Sequence, residues 1–252
     1  MLVYTREQGR QLFELYRDYV SSASEDLTTI VSLRTAPAVP YFPSELHGKP
    51  VVLVMVCCVG DDADKILHPL RAHIRPAADL VRRMPYLDFQ RMFDPGVPSG
   101  LRYYWKSEYL KGIDDETIDT LLAHAWDAPS PRTYTLIYQM GGAVARRHGD
   151  SSAFEDRSAA FAMIINAAWE DGDATPHIEW TRALWERVRP ASTGRTYINY
   201  LDRDEGQDRA RAIYGAEKLH RLTALKQRYD PSNVFDTSRL QLSLESEPTT
   251  PP

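Results

Sequence analysis

Residues 51–59 read Val-Val-Leu-Val-Met-Val-Cys-Cys-Val, a nine-residue run that is β-branched and almost wholly apolar. A membrane span needs about 20 such residues, so this run belongs inside a protein. A short continuous apolar run of this kind is a strand buried on both faces. The turn His47-Gly48-Lys49-Pro50 leads into it. A strand apolar on both sides has to sit centrally in a sheet, and that constrains the rest of the chain. Cys57 and Cys58 are adjacent within it, so they are either a vicinal redox pair or two small buried hydrophobes. Neighbouring strand residues point to opposite faces, which favours the second reading.

The remaining periodicities supply that sheet with partners. Thr5-Arg6-Glu7-Gln8 fits a capping box, and Leu12, Leu15, Tyr16 and Tyr19 follow at helical spacing, which predicts a helix over 6–22. Strands are predicted over 27–34, 101–107, 133–140 and 161–169, and helices over 61–74 and around 86–93. Asp114 or Asp115 caps a helix with Ile118, Leu121, Leu122 and Ala125 on its buried stripe. Thr175-Pro176 starts another that carries Ile178, Leu184, Trp185 and Val188. Gly141-Gly142 reads as a turn back into Ala143-Val144-Ala145. Two last helices, 207–213 and 216–229, break at Gly215, and the Ser/Glu/Thr/Pro-rich residues from 243 predict a disordered tail. Strands and helices do not alternate strictly. The expected fold is therefore α+β: an antiparallel or mixed β-sheet with helices packed on one face, plus a C-terminal helical segment.

Composition narrows the functions. The formal net charge is −5 and no basic cluster interleaves with aromatics, so nucleic acid is not an expected partner. The N-terminus shows no basic stretch followed by an apolar one, and no run is long enough for a membrane span, so the expected compartment is the cytoplasm. The sequence has no His-x-x-x-His, Cys-x-x-Cys or Gly-x-Ser-x-Gly, which leaves metal and hydrolytic chemistry without a motif.

The strongest candidate for chemistry is Tyr197-Ile198-Asn199-Tyr200, two phenols and a carboxamide just before a helix. If extended, the tract puts Tyr197 and Asn199 on one face and Ile198 and Tyr200 on the other. A tyrosine is a poor base at neutral pH unless a cation or cofactor lowers its pKa. Packing of a strand end by two aromatics and an Asn is the plainer reading.

The order and spacing of several passages resemble the berberine-bridge-enzyme-like, FAD-linked oxidases of the vanillyl-alcohol-oxidase superfamily. The passages are Glu45-Leu46-His47-Gly48-Lys49-Pro50-Val51-Val52, Gly100-Leu101-Arg102-Tyr103-Tyr104-Trp105-Lys106-Ser107, Gly141-Gly142-Ala143-Val144 and Ala153-Phe154-Glu155-Asp156-Arg157. The Tyr-x-Asn-Tyr tract and the ending Tyr229-Asp230-Pro231-Ser232-Asn233-Val234-Phe235 complete the set. The resemblance implies that 1–190 is the substrate-binding domain, 191–242 the C-terminal segment that returns to the flavin domain, and 243–252 a tail. It implies that Tyr200 is the catalytic base and that Tyr197, Asn199 and Asn233 line the FAD side. It makes Tyr104, Lys106, Tyr138, Gln139 and Asn166 candidates for the substrate pocket, each of which could equally be a strand-face residue. Lys106 could lower the pKa of a tyrosine, or snorkel along Trp105. Arg157 reads as a loop anchor.

The family's FAD-binding domain, with its Gly-rich pyrophosphate loop and flavin-tethering residues, is not read in these residues. Gly141-Gly142 opens no phosphate cradle. The expectation is a truncated or split flavoprotein, with FAD supplied through a separate FAD-domain chain. It would oxidise an alcohol or amine carbon of a small-molecule substrate, passing hydride to flavin N5, with dioxygen as the reoxidant. The apolar side of the last helices (Ile213, Leu222, Leu225) would then seek that chain or self-associate. The alternative is a cofactor-free binding module that kept the fold and lost catalysis.

Overall fold

The structure is a computed structural model that describes residues 1–147, 152–154, 156–202, 204–205 and 207–235, with 207, 208 and 210 described as backbone only. Seven strands are described: β1 (Leu2–Thr5), β2 (Leu27–Thr35), β3 (Pro50–Cys58), β4 (Ala78–Asp79), β5 (Arg102–Leu110), β6 (Tyr134–Gln139) and β7 (Phe161–Trp169). They form one sheet in the order β4-β1-β3-β2-β6-β7-β5, and every pairing is antiparallel. The helices are α1 (Gly9–Val20), α2 (Ala63–Ala72), α3 (Tyr86–Arg91), α4 (Asp115–Ala125), α5 (Gly142–Arg146), α6 (Thr175–Val188) and α7 (Gln207–Tyr229). The fold is α+β, as the patterning required, and no helix among the described residues is long and apolar enough to cross a membrane.

The apolar run lies in β3, between β1 and β2, and is covered on both sides. Val52 and Val54 join the main core with Leu12, Phe13 and Tyr16 of α1 and Leu67 and Leu70 of α2. Val51 and Leu53 face the other way and pack with Val3, Ala36, Phe42 and Leu46, where the proline-punctuated loop folds back over the sheet. Cys57 and Cys58 are free, partly buried thiols on that strand. The main core continues beneath β6 and β7 through Ile137, Met163 and Ile165 against Ile118 and Leu121 of α4 and Trp180 and Leu184 of α6. One face of the sheet is thus the helix face, and the opposite face is open toward the chain's last third.

Three local expectations change. The predicted first helix is preceded by a strand, because Leu2–Thr5 pairs with both β3 and β4. The capping box then forms within a single 3-10 turn, Arg6–Gln8, with the Thr5 N–H donating to Gln8 Oε1 at 2.9 Å. Gly141-Gly142 leads into the short helix α5 and not into a returning strand, since both glycines adopt positive φ (125° and 51°). Ile213, expected on an orphaned apolar side, is only 2 % exposed because it packs with Leu201 and Tyr214, whereas Leu225 is exposed. The break at Gly215 is present, with φ 70° and ψ 165° inside α7. The tail from residue 243 lies outside the described residues.

Candidate functional site

Strand register lays out the open face as a grid. One row across β2, β6, β7 and β5 reads Arg34, Tyr134, Asn166, Trp105. The next reads Ser32, Leu136, Ile164, Ser107, and the third Ile30, Tyr138, Ala162, Tyr109. The residues between them alternate to the helix face.

After α6 the chain turns through a 3-10 segment, Arg189–Ala191, and runs along the free edge of β5. The Lys111 N–H donates to Ala191 O at 3.0 Å, Thr193 N–H to Tyr109 O at 2.9 Å, and Tyr109 N–H to Arg195 O at 2.8 Å. The hydroxyls of Ser107 and Thr196, both buried, hydrogen-bond to each other. These contacts deliver Tyr197 to the open face. The following residues are not extended: Ile198–Tyr200 is a 3-10 turn closed by Tyr200 N–H to Tyr197 O at 2.9 Å. The turn folds both phenols to one side, where extended backbone would have separated them. Their ring centroids are 5.8 Å apart.

Aromatic contacts tie the turn to the sheet. Trp105 meets Tyr200 edge-on at 6.4 Å, Phe154 lies 5.7 Å from Tyr197, and Tyr109 lies 6.3 Å from Phe154. Beneath them is a cavity of about 220 Å³ lined by Tyr109, Tyr138, Met140, Ala162, Ile164, Tyr197 and Tyr200, among others. Leu201, Ile213 and Tyr214 bury together and brace the turn from α7.

Tyr200 is half-buried, and burial raises its pKa, opposed by the nearby Tyr138 hydroxyl and supplemented by Tyr197. Tyr138 is raised strongly, first by burial and then by Tyr200. Both groups are therefore phenols at neutral pH. Asn199 Nδ2 donates to the Tyr197 hydroxyl at 2.8 Å, which fixes that ring.

Of the sequence-predicted residues, the structure brings Tyr138, Asn166, Tyr197, Asn199 and Tyr200 to this face. Tyr104, Lys106 and Gln139 go to the helix face, a correction that follows from alternation: they are in register with Ala167, Ile165 and Phe161, which point to the helices. Gln139 Oε1 accepts from Thr29 Oγ1 at 2.7 Å, and that hydroxyl is paired with Tyr16 of α1. Lys106 neither snorkels along Trp105 nor approaches Tyr200. It packs over the rings of Tyr104 and Trp185 and pairs with Asp204 at 2.5 Å and Glu205 at 3.2 Å. Asn233 adopts φ 51° in the turn that ends α7, and no described contact joins it to Tyr200. Arg157 is a loop anchor, donating to Val144 O at 3.1 Å and Ser152 Oγ at 2.9 Å.

Sequence reasoning missed the charge cluster that locks this arrangement. The fully buried Glu108 carboxylate accepts from Trp185 Nε1 at 2.7 Å, from Ser192 and from Arg209. Arg209 also pairs with Glu205 at 3.3 Å, and Asp204 takes Tyr104 and Arg182 at 2.6 Å each. The chain therefore straddles β5, with Tyr200 on the open face and Asp204, Glu205 and Arg209 clamped to the helix face. The signal available was the i,i+4 pair Glu205–Arg209 directly after the tyrosine motif.

Residues 196–239 match the model of a family described as berberine and berberine like. An FAD-linked oxidoreductase of Dictyostelium discoideum is 24% identical over 241 residues, covering 92% of this chain and 49% of its own length. An uncharacterized FAD-linked oxidoreductase of Bacillus subtilis is 27% identical over 207 residues, covering 80% and 45%. Among solved structures, the wild-type BBE-like 1 protein of Physcomitrella patens superposes with a TM-score of 0.74 at 17% identity, over 98% of this chain and 54% of its own. A berberine bridge enzyme variant superposes at 0.72 with 16% identity, covering 94% and 53%. The likeness of these structures is one of fold, and the chain spans about half the length of the curated relatives it matches.

Proposed function

We propose that this chain, which shares its fold and its C-terminal family match with berberine-bridge-enzyme-like FAD-linked oxidoreductases, forms the substrate-side wall of such an oxidoreductase site. The observation that carries the reading is the pair of phenols, Tyr200 and Tyr138, that line one apolar cavity on the sheet face opposite α1, α4 and α6. FAD is the cofactor that the relatives' names imply. The face suits the flat ring end of that molecule: the rings of Trp105, Tyr197 and Tyr200 gather there. Tyr197, Asn199 and Tyr200 are the residues that would hold it. The diphosphate end finds no comparable cradle among the described residues, since the glycine turn at Gly141 opens only a five-residue helix.

When bound, FAD supplies the two-electron acceptor for the substrate carbon. The chain's own task is the proton. Oxidation of an alcohol or amine carbon releases a proton from the adjacent O–H or N–H, and Tyr200 Oη would accept it as the phenolate, after giving its own proton to solvent. Burial works against this by favouring the phenol; the neighbouring Tyr138 hydroxyl works for it by lowering the Tyr200 pKa. Lys106 cannot assist, because it sits on the other face with two carboxylates.

The test pairs the full chain with the FAD-binding half of the Dictyostelium discoideum relative. The expected result is retained flavin with quenched fluorescence, and a Tyr200→Phe variant that keeps flavin but loses dioxygen consumption with an alcohol or amine panel. A mixture that stays colourless and unquenched would sink the reading and leave a cofactor-free binding module.

A further inference from the structure

We propose that the open face carries a donor row headed by Arg34 that binds the carboxylate of an aromatic substrate. This rests on reading that face as the substrate side and adds the chemical class of what it takes.

Arg34 is a part-buried guanidinium without a carboxylate partner among the described residues. Arg10, Arg17, Arg71, Arg132, Arg182 and Arg209 each meet a carboxylate. Arg34 has none within ion-pair distance among the described residues. Its guanidinium sits 5.3 Å from the ring centre of Tyr134, and its hydrogen bond is a long one, Nε to Thr35 O at 3.4 Å. Burial lowers its pKa, with Tyr134 and Tyr41 opposing. A guanidinium held partly out of water with no counter-charge is costly, and such costs concentrate where a ligand supplies the missing group.

Its neighbours are donors in the same condition. Asn166, two strands along the same row and 3 % exposed, has a buried Nδ2 with no acceptor. Ser32, one row over and 1 % exposed, has a buried Oγ with no partner. Each such orphan costs about 1–3 kcal/mol when left unmet. The acid at the far end of this face, Asp156, is engaged by Thr193 and Ser158. The row is therefore rich in donors and poor in acceptors. A carboxylate answers it best, because its two oxygens match the planar guanidinium fork.

The flanking side chains set the rest of the ligand. Tyr134 and Trp105 lie in the row, and Tyr200 closes on Trp105. From β2 to β5 is three strand spacings, about 14 Å. That length suits a flat aromatic acid whose carboxylate meets Arg34 while its ring lies along the row toward Tyr200.

The test uses the full chain without flavin, so its outcome does not depend on flavin uptake. Benzoate and its neutral isostere benzamide are titrated by ligand-observed NMR. Benzoate is expected to bind at least about tenfold more tightly, with the preference abolished by Arg34→Met and partly kept by Arg34→Lys. Should the methionine variant misfold, Arg34→Gln gives the same readout. Equal binding of the two probes, or a preference that survives both Arg34→Met and Arg34→Gln, overturns the proposal. So does Arg34-dependent capture of the FAD-binding companion without any benzoate preference, which would assign the guanidinium to a protein carboxylate.

Discussion

The clamp across β5 is the part of this molecule whose removal has the clearest cost. Glu108 is fully buried, and Arg209 is the cation that compensates it. In Arg209→Met the carboxylate keeps its hydrogen bonds from Trp185 and Ser192, and Glu205 keeps Lys106 at 3.2 Å. Breaking a buried pair by removing one partner costs about 3–5 kcal/mol, and the surviving bonds place this case near the lower figure. At about 2–4 °C per kcal/mol for a chain of this size, the melting temperature should fall by roughly 6–12 °C. Adding Glu108→Gln removes the buried charge while leaving an acceptor for Trp185, so the double variant should recover to within about 1 kcal/mol of the parent. Thermal melts followed by circular dichroism on all four members of the cycle give the coupling. The near-ultraviolet aromatic signal reports whether Tyr197 and Tyr200 loosen with the clamp. A single Arg209→Met variant as stable as the parent, or a double variant no better than the single, would refute the assignment of Asp204, Glu205 and Arg209 as an electrostatic lock.

Other consequences follow from the same geometry. Burial raises the Asp204 carboxyl, but hydrogen bonds from Lys106, Tyr104 and Arg182 outweigh it and bring its pKa to about 2. A depressed folded-state pKa gives stability that is present above the unfolded value near 3.9 and lost as pH falls toward about 2. Denaturant titrations across that range should show the loss, and Asp204→Asn should flatten it. Tyr200→Phe removes the neighbouring hydroxyl that raises Tyr138, so a spectrophotometric titration should find the Tyr138 phenol ionising at lower pH. Asn166→Leu replaces a buried, partnerless amide by a group of similar size and should melt at the same temperature or higher, while the benzoate preference weakens.

Much of the fold was legible because its signals are local. The run at 51–59, the Asp114 cap that accepts from Thr117 N–H at 2.8 Å, and the break at Gly215 each declare themselves within a few residues. The strand β1 did not, since Leu2–Thr5 is four residues long and merges with the capping box that follows. Its strand character comes from pairing with β3, more than 40 positions along the chain. The two-residue strand β4 depends on β1 in turn.

The candidate site divides in the same way. Sequence by itself determined that Tyr104 and Lys106 share one face of a strand and Tyr103, Trp105 and Ser107 the other, because alternation is a property of the extended backbone. It also determined the residue types of the Tyr197–Tyr200 motif and so the family they resemble. Which face looks toward the helices was decided only by tertiary packing: Trp185 of α6 lies over Lys106, and Phe161, Met163 and Ile165 of β7 bury on that side. Tertiary structure alone also bent the motif into a 3-10 turn, because the chain must cross the edge of β5 between Thr196, bonded to Ser107 on one face, and Arg209, bonded to Glu108 on the other. Adjacent strand residues point to opposite sides of a sheet, so one strand holds both ends of that crossing and sets where Tyr200 stands.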